Sequence, residues 1–190
     1  MPSLTEVSAY LQYFKQQILY NSTRKLVIRI PKLLQSLVAL SLYRLNSRLN
    51  EVIDRQELEV RHWSRYCLNW IQRFGDAQVQ SELVNIGYGR MIFISFCTAG
   101  GKGEEQNKEI NVGLNNISHF LRELHEGRNY RKPSFQPLPL LARMSLEQIE
   151  EEGANEELEA QMCNNVYDGD IKSRANDVKA TILNRFSHRG

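Results

Sequence analysis

Cysteine is scarce and odd in number. Cys67, Cys97 and Cys163 stand far apart with no Cys-x-x-Cys pair, and His62, His119, His125 and His188 are equally scattered. A disulfide framework and a zinc site are therefore not expected, and a reducing compartment is. With 5 Pro and 11 Gly among 190 residues, a collagen-like or wholly disordered chain is excluded. Long apolar runs are missing as well. The segment from Tyr88 to Gly100 falls short of the roughly 18 residues of a membrane span and carries Arg90. The opening Met-Pro-Ser-Leu-Thr-Glu lacks the basic-then-apolar pattern of a signal peptide. A soluble intracellular protein is expected, in cytoplasm or nucleus or peripheral on a membrane, without a transmembrane anchor. Asn21-Ser22-Thr23 then reads as a chance match to a glycosylation sequon.

Catalytic motifs are also wanting. Gly100-Gly-Lys-Gly103 is not a P-loop, because Lys102 is followed by Gly103 rather than a hydroxyl residue, and Glu104-Glu105 would repel phosphate. No serine sits in a Gly-x-Ser-x-Gly elbow. Cys97 lies in the most apolar segment, where a thiolate is costly, so packing is its expected role. No pair of carboxylates is fixed at a cleft by its spacing. Neither an enzyme nor a bound cofactor is expected.

What is present is helical periodicity. Ser3 and Glu6 form a capping box ahead of the stripe Leu4, Val7, Leu11, Phe14 and Ile18. Beyond Pro31, the series Leu34, Val38, Leu42, Leu45, Leu49, Val52 keeps helical spacing, as does Val60, Trp63, Cys67, Trp70, Phe74, with Gly75-Asp76 as a stop. Val79, Leu83 and Ile86 suggest a short helix. Met91 to Cys97 is apolar on every side except Ser95, and alone it fits a buried strand or a buried helix. Its helix-patterned neighbours favour a central buried helix. Ile110, Leu114, Ile117, Leu121 and Leu124 give a further helix ended by Gly127. Pro133, Pro137 and Pro139 mark a linker, and residues 147–159 hold seven glutamates, which read as a solvated helix or acidic tail. A last short helix runs from Ile171 through Ala175, Val178 and Ile182, capped by Asp168 or Asp170. The expected organisation is an all-α core over 1–127, a linker over 128–144 and an acidic tail with short helices over 145–190.

Charge divides unevenly. Residues 1–103 hold 13 Lys and Arg against 7 acids, and residues 104–190 hold 11 against 15. In the basic part, Lys15, Arg24, Lys25, Arg29, Lys32, Arg44 and Arg48 alternate with Tyr10, Tyr13, Tyr20 and Tyr43. Cations neutralise phosphates and aromatics stack on bases, so one function class is a helical nucleic-acid-binding or assembly protein of matrix or nucleocapsid type. A second alternative is an adaptor acting through its acidic tail.

One constellation points elsewhere. Residues 82–101 read Glu-Leu-Val-Asn-Ile-Gly-Tyr-Gly-Arg-Met-Ile-Phe-Ile-Ser-Phe-Cys-Thr-Ala-Gly-Gly. This resembles the first homology motif of the Bcl-2 family, in which Glu-Leu is followed by aromatic-Gly-Arg and a buried apolar helix. Leu45, Leu49, Val52 and Asp54 have the spacing of that family's third homology motif. The Gly-Arg-plus-Phe helix, Asn21-Ser22-Thr23 and the glutamate-rich tail are similar to features of its viral members of the adenoviral early-region 1B small T type. Departures are a Glu-Leu to Gly-Arg interval two residues short of that in the cellular members, Ile53 and Phe93 where small residues are usual, and no Gly-Gly-Trp. The resemblance implies a Bcl-2-like bundle around a central helix, and an anti-apoptotic role in host–virus interaction. Its partners would be Bax- or Bak-type proteins, captured by their amphipathic helices in a groove. Arg90 would pair with an acid of the partner, Gly89 would admit its backbone, and Tyr88, Leu83, Leu49 and Val52 would line the groove.

Overall fold

The structure, a computed structural model, describes residues 2–44, 51–97, 104–131, 133–153, 156, 158–159 and 169–183. It is all-helical, with no strand among these residues and one isolated antiparallel bridge, Arg128 to Phe135. By its internal contacts the chain divides into two compact units, residues 1–86 and 87–190. The expected core boundary at 127 is thus not where the division falls.

The first unit contains α1 (Leu4–Leu19), α2 (Asn21–Ile28), α3 (Leu33–Ser41), α4 (Glu51–Phe74) and α5 (Ala77–Asn85). The capping box forms as its sequence demands: the Ser3 amide donates to Glu6 Oε2 at 2.7 Å and the Glu6 amide to Ser3 Oγ at 3.3 Å. α1 and α3 pack on α4, and α2 packs on α1. Leu11, Ile18, Leu37, Val60, Cys67, Leu68 and Ile71 make the core. Along α4, Trp63, Tyr66, Trp70 and Phe74 form a ladder of rings at helical spacing. The Lys15 ammonium lies 5.1 Å from the centres of the Trp63 and Tyr66 rings, and the Arg24 guanidinium 3.6 Å from that of Phe74. Buried Glu57 faces Arg44 at 3.3 Å and Arg61 at 3.9 Å. Asp76, read from sequence as part of a stop, also caps α5 by accepting from the Val79 amide.

Cys67 is fully buried and its thiol points at the Leu11 carbonyl oxygen, 3.4 Å away. Burial pushes this thiol up to about 12 from its ordinary 9.0, against a smaller opposing pull from Lys15. The unfolded thiol ionises as pH rises through 9, while the folded one stays protonated until about 12. Its contribution is therefore complete below pH 9 and is lost across that window. Urea unfolding of the wild type should weaken more steeply between pH 9 and 11 than that of Cys67→Ala. Site-resolved mass spectrometry at pH 8 should find native Cys67 unalkylated by iodoacetamide.

The second unit contains α6 (Tyr88–Cys97), α7 (Glu104–Glu126), α8 (Pro139–Glu150) and α9 (Gly169–Leu183). The apolar segment open between strand and helix is helix α6, with Tyr88, Met91, Ile92 and Phe93 buried. α6, α8 and α9 each pack on α7, and α8 also packs on α6. Ile110, Leu114, Ile117, Phe120, Leu121 and Leu124 of α7 supply the buried face. Gly127 ends α7 with φ +76°, and a Cβ there would meet the Phe135 carbonyl oxygen at 2.7 Å, so both backbone and space require glycine.

Beyond Gly127 the structure departs from the expected linker and acidic tail. Arg128 and Phe135 exchange backbone hydrogen bonds, at 2.8 and 2.9 Å, so residues 128–135 fold back on themselves. Pro139 then opens α8 at a position where its missing N–H costs nothing. The described glutamates of this segment are half-buried or exposed, while Ala142, Leu146 and Ile149, at i, i+4 and i+7, are buried. α9 buries Ile171, Ala175, Val178 and Ile182, the stripe its sequence shows.

Candidate helix-binding site

Arg90 and Gly89 lie in the first turn of α6, after Gly87 at φ +76°. That placement is awkward for α6 itself. A cation at a helix N-terminus opposes the dipole, and no acid is present in the turn to offset it. α8 has the converse problem. Glu150 closes it, Glu151 and Glu152 follow, and its last turn carries no base. The structure joins the two ends. Arg90 Nε lies 2.6 Å from Glu152 Oε1, and Nη2 lies 3.1 Å from Glu151 Oε2. The Arg90 side chain remains 44% exposed, so these are screened, partly hydrated pairs.

Gly89 supplies the close approach. A Cβ at this position would lie 3.2 Å from Ile149 Cδ1 and 3.7 Å from Phe120 Cε1. Beside it the Tyr88 ring meets Phe120 edge-on, with centroids 5.0 Å apart and planes at 89°. The first turn of α6 is thus a seat: glycine under an aliphatic anchor, an aromatic floor, and a guanidinium clamped on acids just past the anchor. Its occupant is a helix of the same chain.

The other residues expected to share the site lie differently. Tyr88 is buried at 1% exposure and acts as floor rather than open lining. Leu83, on α5 of the first unit, is fully buried and offers no surface to a partner. Val52 stands in the first turn of α4 and is 67% exposed. Leu45 and Leu49 are outside the described residues, so the spacing Leu45, Leu49, Val52, Asp54 is seen only at its last two members. Among the described residues no group of His, Cys, Asp and Glu could hold a metal ion, and no helix is long and apolar enough to cross a membrane.

A second polar constellation escaped the sequence reading. Glu123, 2% exposed at the end of α7, receives Arg131 Nη2 at 3.1 Å and Arg128 Nη1 at 3.5 Å, and Tyr130 donates its hydroxyl to the same carboxylate. Arg128, fully buried, also donates from Nε to the Pro133 carbonyl at 3.0 Å and stacks 4.6 Å from the Phe135 ring centre. Burial of the hydroxyl, then the bond to Glu123 and its charge, raise the Tyr130 phenol above its ordinary value. The cluster ties the 128–135 turn to α7. Only the short interval between Glu123, Arg128, Tyr130 and Arg131 could have hinted at it.

Comparison with known proteins identifies no relative: no family model, no curated protein and no solved structure matches the chain.

Proposed function

We propose that this protein is a non-enzymatic helix-binding module of Bcl-2-like, anti-apoptotic type, which sequesters amphipathic death-promoting helices of Bax- or Bak-type proteins, in the manner of the adenoviral early-region 1B small T antigens. One observation carries the reading: the Gly89–Arg90 turn packs an aliphatic anchor over glycine and holds acids on the guanidinium, the two contacts that the Bcl-2 resemblance implies for a ligand helix. Tyr88 and Phe120 shape the seat from below, and Val52 is exposed for contact on its own unit.

The test is a titration of a labelled death-type helix peptide into the full chain. In Glu151→Gln/Glu152→Gln, where the same-chain acids no longer hold Arg90, adding Arg90→Ala should weaken binding by roughly five- to tenfold, the effect of about 1 kcal/mol expected for a half-exposed pair rather than a buried one. Added salt should change affinity only slightly. Equal affinity of Glu151→Gln/Glu152→Gln with and without Arg90→Ala would remove the proposal.

A nucleic-acid reading keeps one favourable observation. Tyr10, Tyr13 and Tyr20 of the first unit are exposed by 61, 60 and 61%, and Lys25 and Arg29 of the same unit are exposed too. Against it, Lys15 covers rings of α4, Arg24 donates to the Ile18 and Leu19 carbonyls, and Arg44 faces Glu57. RNA binding that falls steeply with salt would favour this reading.

A further inference from the structure

The turn that follows α7 carries a charge pattern that the helix seat does not use. Residues 131–135 read Arg-Lys-Pro-Ser-Phe, so Ser134 has cations at the third and second positions before it and an aromatic residue directly after. No other serine or threonine of the chain has Lys or Arg at both of those positions. It is also a serine that an enzyme can reach. Ser8, Ser41, Ser64, Ser95 and Ser145 are buried in helices, whereas Ser134 is exposed on non-helical backbone, inside the turn closed by the Arg128–Phe135 bridge. Pro133 keeps a helix from forming there. Arg131, three residues before Ser134, holds Glu123 through Nη2 at 3.1 Å, while its Nε is buried with no hydrogen-bond partner among the described residues. One donor of this guanidinium is therefore unspent, a cost that an added acceptor would relieve.

We propose that Ser134 is a phosphorylation site for a protein kinase that selects basic residues ahead of its target, and that the phosphate takes Arg131 from Glu123. Such a kinase lines its peptide groove with acids, so cations at those two positions supply both attraction and discrimination. In the transfer, Ser134 Oγ forms a bond to the γ-phosphorus of ATP and the bond from that phosphorus to the β–γ bridging oxygen breaks. ADP leaves, and the hydroxyl proton passes to a base of the kinase. Local opening must first release the two backbone bonds between Arg128 and Phe135, at 2.8 and 2.9 Å, and the buried Phe135 ring, so that the segment lies extended. The product carries a charge of about −1.5 to −2 and three strong acceptor oxygens. Glu123 then loses Arg131 and keeps Arg128, the Tyr130 hydroxyl and the His119 ring. Neither step involves Arg90 or the helix seat.

The experiment incubates the full chain, as wild type, Ser134→Ala and Lys132→Glu, with ATP and a kinase of the cyclic-AMP-dependent class, and locates phosphate by mass spectrometry. Folded wild type should take phosphate at Ser134, and Ser134→Ala should take none. Lys132→Glu, which sets like charge against the acids of the kinase, should slow transfer by roughly tenfold or more. Amide exchange is then compared between phosphorylated and unmodified wild type. Exchange over residues 128–135 should quicken by roughly three- to tenfold, from loss of one partly exposed ion pair, with α4 of the first unit unchanged. Phosphate on other hydroxyls of the folded chain, phosphate on Ser134 only after unfolding in urea, or equal rates for wild type and Lys132→Glu would overturn the site. Unchanged or slower exchange in the phosphorylated turn would show that Arg131 stays on Glu123, and would overturn the effect assigned to the phosphate.

Discussion

Glu123→Ala is expected to destabilise the second unit by about 3–5 kcal/mol, the cost of leaving a buried charge without its partner. Glu123 is 2% exposed and Arg128 not at all, and the carboxylate is shared by Arg128, Arg131, the Tyr130 hydroxyl and, at 3.7 Å, the His119 ring. With the carboxylate gone, the buried Arg128 guanidinium loses this acid, while its bond to the Pro133 carbonyl and its contact with the Phe135 ring remain. The urea midpoint should fall accordingly, and the 128–135 turn should gain amide exchange first. The paired replacement Glu123→Leu with Arg128→Met should cost much less than Glu123→Ala, since an apolar pair of similar volume carries no desolvation penalty. A loss in the double variant equal to that in Glu123→Ala would show that volume, not charge, sets the effect.

Phe120→Ala should be comparably severe, at about 3–5 kcal/mol, by deleting a fully buried ring from the centre of the second unit. The ring meets Tyr88 edge-on and lies under Gly89, so its loss opens a cavity beneath the seat itself. For a unit of about 100 residues this corresponds to a drop in unfolding temperature of roughly 12–25 °C. Leu140→Ala is the control. That side chain is 76% exposed on the outer face of α8, and its removal should change stability by no more than about 0.5 kcal/mol.

The parts legible in the sequence were those in which apolar residues recur at helical spacing beside a recognisable terminus. α1 announced itself through Ser3, Glu6 and the stripe Leu11–Ile18, and α7 through Ile110–Leu124 and Gly127. α9 was visible from Ile171, Ala175, Val178 and Ile182 alone. α6 was ambiguous because a segment apolar on nearly every side has no polar face to reveal its period, and only its neighbours favoured helix. α8 was misjudged because glutamates dominate its neighbourhood by number. Ala142, Leu146 and Ile149 behind Pro139 carried the true signal, in three residues against seven acids.

The site was half legible for a related reason. The chemistry of Gly89 and Arg90, close approach and a charge in need of an acid, could be read from residue types. That the acids are Glu151 and Glu152 of the same chain could not, because the pairing spans 61 residues of sequence. Leu83 and Tyr88 are apolar positions whose burial depends on packing, so sequence could not tell a groove wall from a core.

The central claim is that Arg90 selects a helix by the charge that follows its apolar anchor. A charge-exchange titration tests it most directly. Arg90→Glu should lose binding to a labelled amphipathic helix ending in an acid, and should recover it when that acid is replaced by arginine, while wild type shows the reverse preference. If both proteins rank the two peptides identically, Arg90 does not read the ligand and the account is wrong.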